Sequence, residues 1–266
     1  MMSRFVCEAL VSAGKRHTDD EELCEDAVGI ISSSQGAAFY IADATSDEDR
    51  IGAFSSRYLA NSIGYHFLNN ALDWFGGPQT QMDIDGLFSG SIDQMQTAWA
   101  NEWRSFISKP EAMEMFGAKS RPFRGPSADG RLLSFSCAFA AGVILKQDRR
   151  VLIARTGDIG MMVKREGEAP RQRETLKDRI FARVVSHGDA APQMKFSDTP
   201  YEVYKAGRME YLILKSDGAK YVHEGLIAGA LAKSGIESAK KLRRIFLKGM
   251  RSDTGDDKAV FYGMFI

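Results

Sequence analysis

Tyr211-Leu212-Ile213-Leu214-Lys215-Ser216-Asp217-Gly218 sets an apolar run of strand length directly against a carboxylate and a glycine. So short an apolar run reads as a buried strand. A carboxylate at its end sits at the rim of a sheet, where side chains from separate strands can converge. The same pairing recurs along the chain. Asp43 closes Ala38-Phe39-Tyr40-Ile41-Ala42, Asp26 opens Ala27-Val28-Gly29-Ile30, and Asp256 stands just ahead of Ala259-Val260-Phe261-Tyr262. Asp-Gly alone is a common turn, and Glu25-Asp26 or Asp256-Asp257 alone reads as exposed loop. The weight lies in their order and in the strands beside them. Oxygen-only ligands of this kind suit Mg2+ or Mn2+, which bind through a few carboxylates.

Outward from these anchors, Arg4–Val11, Ala27–Ser33 and Ala37–Ala42 read as strands. Thr45 and Glu48 match a capping box, opening a helix supported by Ile51, Phe54, Tyr58, Ile63 and Phe67 at helical spacing. Phe88, Ile92, Met95, Trp99, Trp103 and Phe106 share one face of a second helix over about Gly86–Ser108, read as ordinary core. Lys109–Arg131 holds three prolines and three glycines and reads as a loop. Ser136–Leu145 and Val151–Arg155 form a hairpin, followed by Thr156-Gly157-Asp158 and a short strand near Met161–Lys164. Glu166–Thr199 is polar, basic and weakly patterned, so a mobile excursion is expected there. Tyr201–Lys205 and Tyr211–Ser216 resume the strands, helices follow near Lys220–Lys233 and Glu237–Met250, and Ala259–Ile266 is the last strand. Strands come in runs and long helices in pairs, which argues for an α+β fold rather than a βαβ series.

The chain has 266 residues, 44% of them hydrophobic and 26% charged, enough for one sizeable core. Lys+Arg and Asp+Glu both number 35, so net charge gives nucleic-acid binding no support. Cys7, Cys24 and Cys137 form no Cys-x-x-Cys pair, which excludes the common zinc and redox motifs. With no signal-peptide pattern at Met1–Gly14 and no membrane-spanning run, a cytoplasmic protein is expected. His17, His66, His187 and His223 show no metal-ligand spacing, and neither a Gly-x-Ser-x-Gly motif nor a P-loop is present. Lys164, Arg165, Arg171, Arg173, Lys177, Arg179 and Arg183 make 166–199 and its approach basic. They form either a solvated face or an attraction for phosphate.

Six stretches together resemble the metal-dependent PP2C-type protein phosphatases, especially their compact bacterial branch, over nearly the whole chain. They are Gly14-Lys15-Arg16-His17 with Cys24-Glu25-Asp26-Ala27, Phe39 to Asp43, Ser134 to Gly142, Val151 to Asp158, Tyr211 to Gly218, and Gly255 to Val260. The resemblance implies a single domain over 1–266: an α-β-β-α four-layer sandwich of two mainly antiparallel sheets flanked by helix pairs. It implies two Mn2+ or Mg2+ ions and a third, looser one. Asp43 would bridge the pair, with the Ala44 carbonyl beside it; Asp217 and Asp256 would complete the first site. Glu25 or Asp26 would hold the second ion and Asp158 the third. Asp43 and Asp217 would carry the catalytic centre, Arg16 is the nearest match for a phosphate-binding arginine, and 166–199 would be a substrate-facing flap. The activity implied is hydrolysis of phosphoserine or phosphothreonine by a metal-bridging water. A partner protein would be the substrate and a cognate Ser/Thr kinase a second partner.

The departures are local. The family usually has Gly after the bridging Asp, where this chain has Ala44, and some members carry a general-acid His where this chain has Thr45. A threonine hydroxyl does not protonate a leaving alkoxide at neutral pH. A catalytically weak or inactive phosphatase-like binding module is therefore the competing reading; a phosphatase of small phosphoesters is a third, since the sequence does not separate protein from small-molecule substrates.

Overall fold

A computed structural model describes residues 4–19, 24–45, 54–76, 84–122, 130–173, 175–176, 180–196, 201–231, 235–252 and 255–266. In chain order the elements are β1 (Phe5–Ser12), α1 (Lys15–Asp19), β2 (Asp26–Ser32), β3 (Gly36–Ala44), α2 (Ser56–Gly76), α3 (Ile84–Ile107), α4 (Pro110–Lys119), β4 (Arg121–Pro122), β5 (Gly130–Leu145) and β6 (Arg150–Thr156). They continue with β7 (Gly160–Arg165), β8 (Arg171–Arg173), β9 (Ile180–His187), β10 (Gln193–Phe196), β11 (Glu202–Ala206), β12 (Met209–Lys215), α5 (Glu224–Leu231), α6 (Ile236–Met250) and β13 (Lys258–Phe265).

Two antiparallel sheets stack face to face. One runs β1-β13-β12-β7-β8; the other runs β10-β9-β5-β3-β2, with β6 carrying β11 beside β5 and β4 pairing with β5. The alternation of strand residues decides which sheet face meets which layer. On β3, Phe39 and Ile41 point to the second sheet and join Phe261, Leu212 and Leu214 in the inter-sheet core. Ala38, Tyr40 and Ala42 point the other way, under Ile63 and Phe67 of α2 and Phe88 and Trp99 of α3. Phe39 stacks on Phe261 at 4.1 Å between ring centroids, a contact worth about 0.5–1.5 kcal/mol beyond the area it buries. Ile213 and Tyr262, on the opposite face of their sheet, pack against Ile227 of α5 and Leu242 and Phe246 of α6. The result is the α-β-β-α sandwich that the resemblance implied.

Three local readings differ. α4 occupies the front of the stretch expected to be loop: Pro110 takes its first turn, where its missing N–H costs nothing, and Ala112 and Phe116 are its buried residues. α2 begins at Ser56, with the Ser55 hydroxyl accepting the Tyr58 N–H at 3.1 Å. The capping box at 45–48 falls mostly outside the described residues. Finally, 166–199 carries strands rather than an unstructured excursion. β8 pairs with β7, β9 pairs with the first half of β5, and β10 pairs with β9. Met194 and Phe196 pack against the α3 side of the core, and the Trp103 indole N–H donates to the Pro192 carbonyl at 3.1 Å. These strands leave little trace in the sequence because β8 and β10 are short and mostly exposed and the whole stretch is rich in basic and polar residues. Lys177 and Arg179 lie outside the described residues. Lys164 pairs with Glu210, Arg165 and Arg171 approach Glu168, and Arg173 approaches Glu202 and lies over the Tyr204 ring, as expected of a solvated face.

Candidate metal centre

The antiparallel ladders bring the sequence-distant aspartates to one end of the sandwich. Asp26 opens β2 and Asp43 nearly closes β3, and the two are register partners. In the facing sheet, Lys215 at the end of β12 pairs with Val260 near the start of β13. That register puts the Ser216-Asp217-Gly218 turn beside the Asp256-Asp257 approach to β13. Asp158 stands in the turn between β6 and β7, after Gly157 at φ 73°, a left-handed conformation that glycine adopts without strain.

Like charges crowd there. Burial and then the Asp43 charge push the Asp26 carboxyl far above its ordinary range, Asp257 and Asp256 add to the push, and a hydrogen bond from Ser216 opposes it. Asp43 is raised by burial, then by Asp217, Asp158 and Asp256, against a hydrogen bond from the Asp217 N–H. Asp217 is raised by partial burial, then by Asp256 and Asp158, with Lys220 opposing. Influences of this pattern go with Asp26, Asp43, Asp158, Asp217 and Asp256 lying near one another at this end of the sandwich.

The donor set, carboxylate oxygens alone, is of the kind that hard divalent cations take. Asp26 Oδ2 is buried without a hydrogen-bonding partner, an arrangement that costs free energy unless a cation or proton satisfies it. Among the described residues, no three of these aspartates bring ligand atoms within 4.8 Å of one another. Ala44 keeps an ordinary strand conformation, paired with Cys137 and outside the positive-φ region, so the site does not need glycine there. Thr45 is turned to structure: its hydroxyl lies 2.9 Å from the Ser136 carbonyl, 2.8 Å from the Ser136 hydroxyl and 3.0 Å from that of Ser56.

Arg16 lies on the exposed side of α1, one guanidinium nitrogen 3.1 Å from His17 Nε2. Glu25 sits next to Asp26, with its carboxylate 3.6 Å from His17 Nε2. Sequence reasoning missed three residues here. Ser216, 1% exposed, accepts the Ala259 N–H at 2.9 Å while serving Asp26. His17 is 2% exposed and Asp257 3% exposed, their side chains 2.8 Å apart. His17 carried no spacing signal because its partners are eight and 240 positions away. Asp257 was hidden beside the more obvious Asp256.

No protein-family model and no curated sequence matches the chain. Solved structures do. A bacterial serine phosphatase aligns at TM-score 0.58 with 12% identity, covering 99% of this chain and 98% of that one. The Mycobacterium tuberculosis serine/threonine phosphatase PstP/Ppp aligns at 0.55 with 14% identity, covering 99% of each chain. RsbX in complex with magnesium aligns at 0.54 with 12% identity, covering 99% of this chain and 96% of that one. The chain therefore has the fold of the compact bacterial PP2C-type serine/threonine phosphatases.

Proposed function

We propose that the protein is a Mn2+- or Mg2+-dependent phosphatase that hydrolyses phosphoserine or phosphothreonine on a partner protein. The observation that carries this reading is the gathering of Asp26, Asp43, Asp158, Asp217 and Asp256 at one end of the sandwich, where Asp26 Oδ2 is buried without a hydrogen-bonding partner. Asp43 is the candidate bridging ligand, because it lies between Asp26 on its own sheet and Asp217 and Asp256 on the other. Asp217 and Asp256 would complete one site, Asp26 with Glu25 the other, and Asp158 would hold a looser third ion. When bound, the ions supply an activated water and neutralise charge developing at phosphorus. The cleft opens to solvent at Asp217 and Asp256, both exposed, which suits a phosphorylated side chain presented from outside. Solved structures of like fold described as serine/threonine phosphatases, one with two manganese ions, support the substrate class and the metal. A cytoplasmic setting and regulation by a cognate kinase belong to the same proposal. Cys7, Cys24 and Cys137 form no disulfide, and no described helix is long and apolar enough to cross a membrane.

The second reading, a phosphatase-like binding module, is favoured by Thr45, whose hydroxyl is engaged in packing rather than poised as a proton donor. Hydrolysis of an aryl phosphate and of phosphopeptides separates the two. Turnover that needs Mn2+, stops with chelator and is lost in Asp43→Asn and Asp217→Asn supports the enzyme. A folded protein with no Mn2+-dependent turnover on either substrate supports the module.

A further inference from the structure

We propose that Asp257 and His17 form a positioning clamp that fixes the Glu25–Asp26 side of the acidic cleft without binding metal themselves. The purpose of the clamp rests on the phosphatase reading; its existence does not. Asp257 Oδ1 accepts the Gly14 N–H at 2.6 Å and Oδ2 accepts the Glu25 N–H at 2.5 Å. His17 Nδ1 lies 2.8 Å from the same Oδ2, and His17 Nε2 faces the Glu25 carboxylate at 3.6 Å. One buried carboxylate thus ties the start of β13 to the segments before α1 and before β2, 243 and 232 positions away.

The neighbours fit this division of labour. Asp256 is exposed and its charge reaches Asp26, Asp43 and Asp217, whereas Asp257, whose charge also reaches Asp26, is buried with both oxygens turned to backbone N–H groups. Gly14 makes the approach possible, since a Cβ there would lie 2.4 Å from the Asp256 carbonyl carbon. The chemistry asks for aspartate rather than asparagine. Two oxygens accept N–H groups from two segments, and an amide would put an NH2 against one of them. His17, Glu25 and Asp257 have ligand atoms within 4.8 Å of one another, close enough for an ion. Both Asp257 oxygens already accept backbone donors, which favours a clamp over a ligand set. Groups that orient metal ligands in this way typically govern metal affinity about 10–100-fold.

The test has two readouts on the full chain. In chelator, amide hydrogen exchange is followed at Gly14 and Glu25. Asp257→Asn should speed Glu25 at least about tenfold, Asp257→Ala both amides, and His17→Ala Glu25, while core amides of β3 and β5 stay slow. Unchanged exchange at both amides overturns the clamp, whatever the protein's activity. Mn2+ titration follows by electron paramagnetic resonance, well below each variant's Tm. Asp257→Asn and His17→Gln should weaken binding about 10–100-fold, and Asp26→Asn with Asp43→Asn should abolish it. Unchanged affinity in the clamp variants overturns the positioning role. Mn2+ retained in Asp26→Asn with Asp43→Asn but lost in His17→Ala makes His17, Glu25 and Asp257 the ligands, and also overturns it. Altered exchange together with no Mn2+-dependent turnover in the wild type leaves the clamp standing and sinks the phosphatase reading instead.

Discussion

Asp26 and Asp43 sit opposite each other across the β2–β3 ladder, and after burial the Asp43 charge is the largest influence raising the Asp26 carboxyl. Both groups are raised above an unfolded value of 3.8. Between that value and the folded one, the native state holds more protons than the unfolded chain. Stability of the metal-free protein therefore falls as pH rises through that window. Thermal melts in chelator should show Tm dropping from about pH 5 to about pH 8. Asp43→Asn removes the charge opposite Asp26, so it should flatten the slope and raise the metal-free Tm. A gain of about 1–2 kcal/mol would appear as several degrees at roughly 2–4 °C per kcal/mol. A metal-free Tm that climbs with pH would contradict the repulsion.

Divalent cations should reverse this dependence. Bound ions need deprotonated carboxylates, so their affinity rises with pH, and they offset the repulsion that destabilises the empty cleft. Mn2+ should raise Tm more at about pH 8 than at about pH 5.5, and chelator should remove the gain. Equal stabilisation of a variant carrying both Asp43→Asn and Asp217→Asn would place the bound ions elsewhere.

How far these carboxylates could be anticipated follows from what each leaves in the sequence. Asp43 and Asp217 close apolar runs, so both their existence and their place at a sheet rim were legible. An α+β fold was legible because β3, β5, β12 and β13 are apolar runs and the long helices come in pairs, whereas the two-sheet, four-layer arrangement followed from the resemblance of the motifs. α4 was not, since Pro110 and Gly117 are loop residues by composition, and only the helix's N-terminal position excuses the proline. β9 and β10 were not, because they lie in a basic stretch and β10 is short, with only half-buried and exposed residues in alternation. Ser216, His17 and Asp257 act through contacts that span the chain, and no local periodicity records such contacts.

Glycine at Gly218 should be obligatory in a way that glycine at Gly117 is not. A Cβ at Gly218 would sit 1.8 Å from the Asp257 carbonyl oxygen, inside the turn that carries Asp217. Gly218→Ala must therefore shift the Asp217 turn or the Asp256-Asp257 segment, at a cost of about 1–3 kcal/mol or more, with loss of Mn2+ affinity. Gly117 lies within α4 with nothing within 4 Å of a built Cβ. Gly117→Ala should stabilise by about 0.5–1 kcal/mol. Denaturant melts of the two variants check the contrast, and a neutral Gly218→Ala would mean that the turn yields more easily than its packing implies.

The hydroxyls of Thr45, Ser56 and Ser136 pin the end of β3, which carries Asp43, to α2 and β5. Ser56, fully buried, accepts the Ser136 N–H at 2.8 Å, and the Thr45 N–H donates to the Ser136 carbonyl at 3.0 Å. Ser56→Ala strips that N–H of its acceptor and should cost about 1–3 kcal/mol. Thr45→Val keeps the shape but loses the hydroxyl, and should cost about 1 kcal/mol. If Thr45 acts only through packing, turnover in Thr45→Val should keep its pH profile and fall only modestly, through a less well-held Asp43. Turnover abolished with Tm unchanged would instead mean that the Thr45 hydroxyl reaches the substrate, and the second reading, which treats this position as spent on structure, would lose its main support.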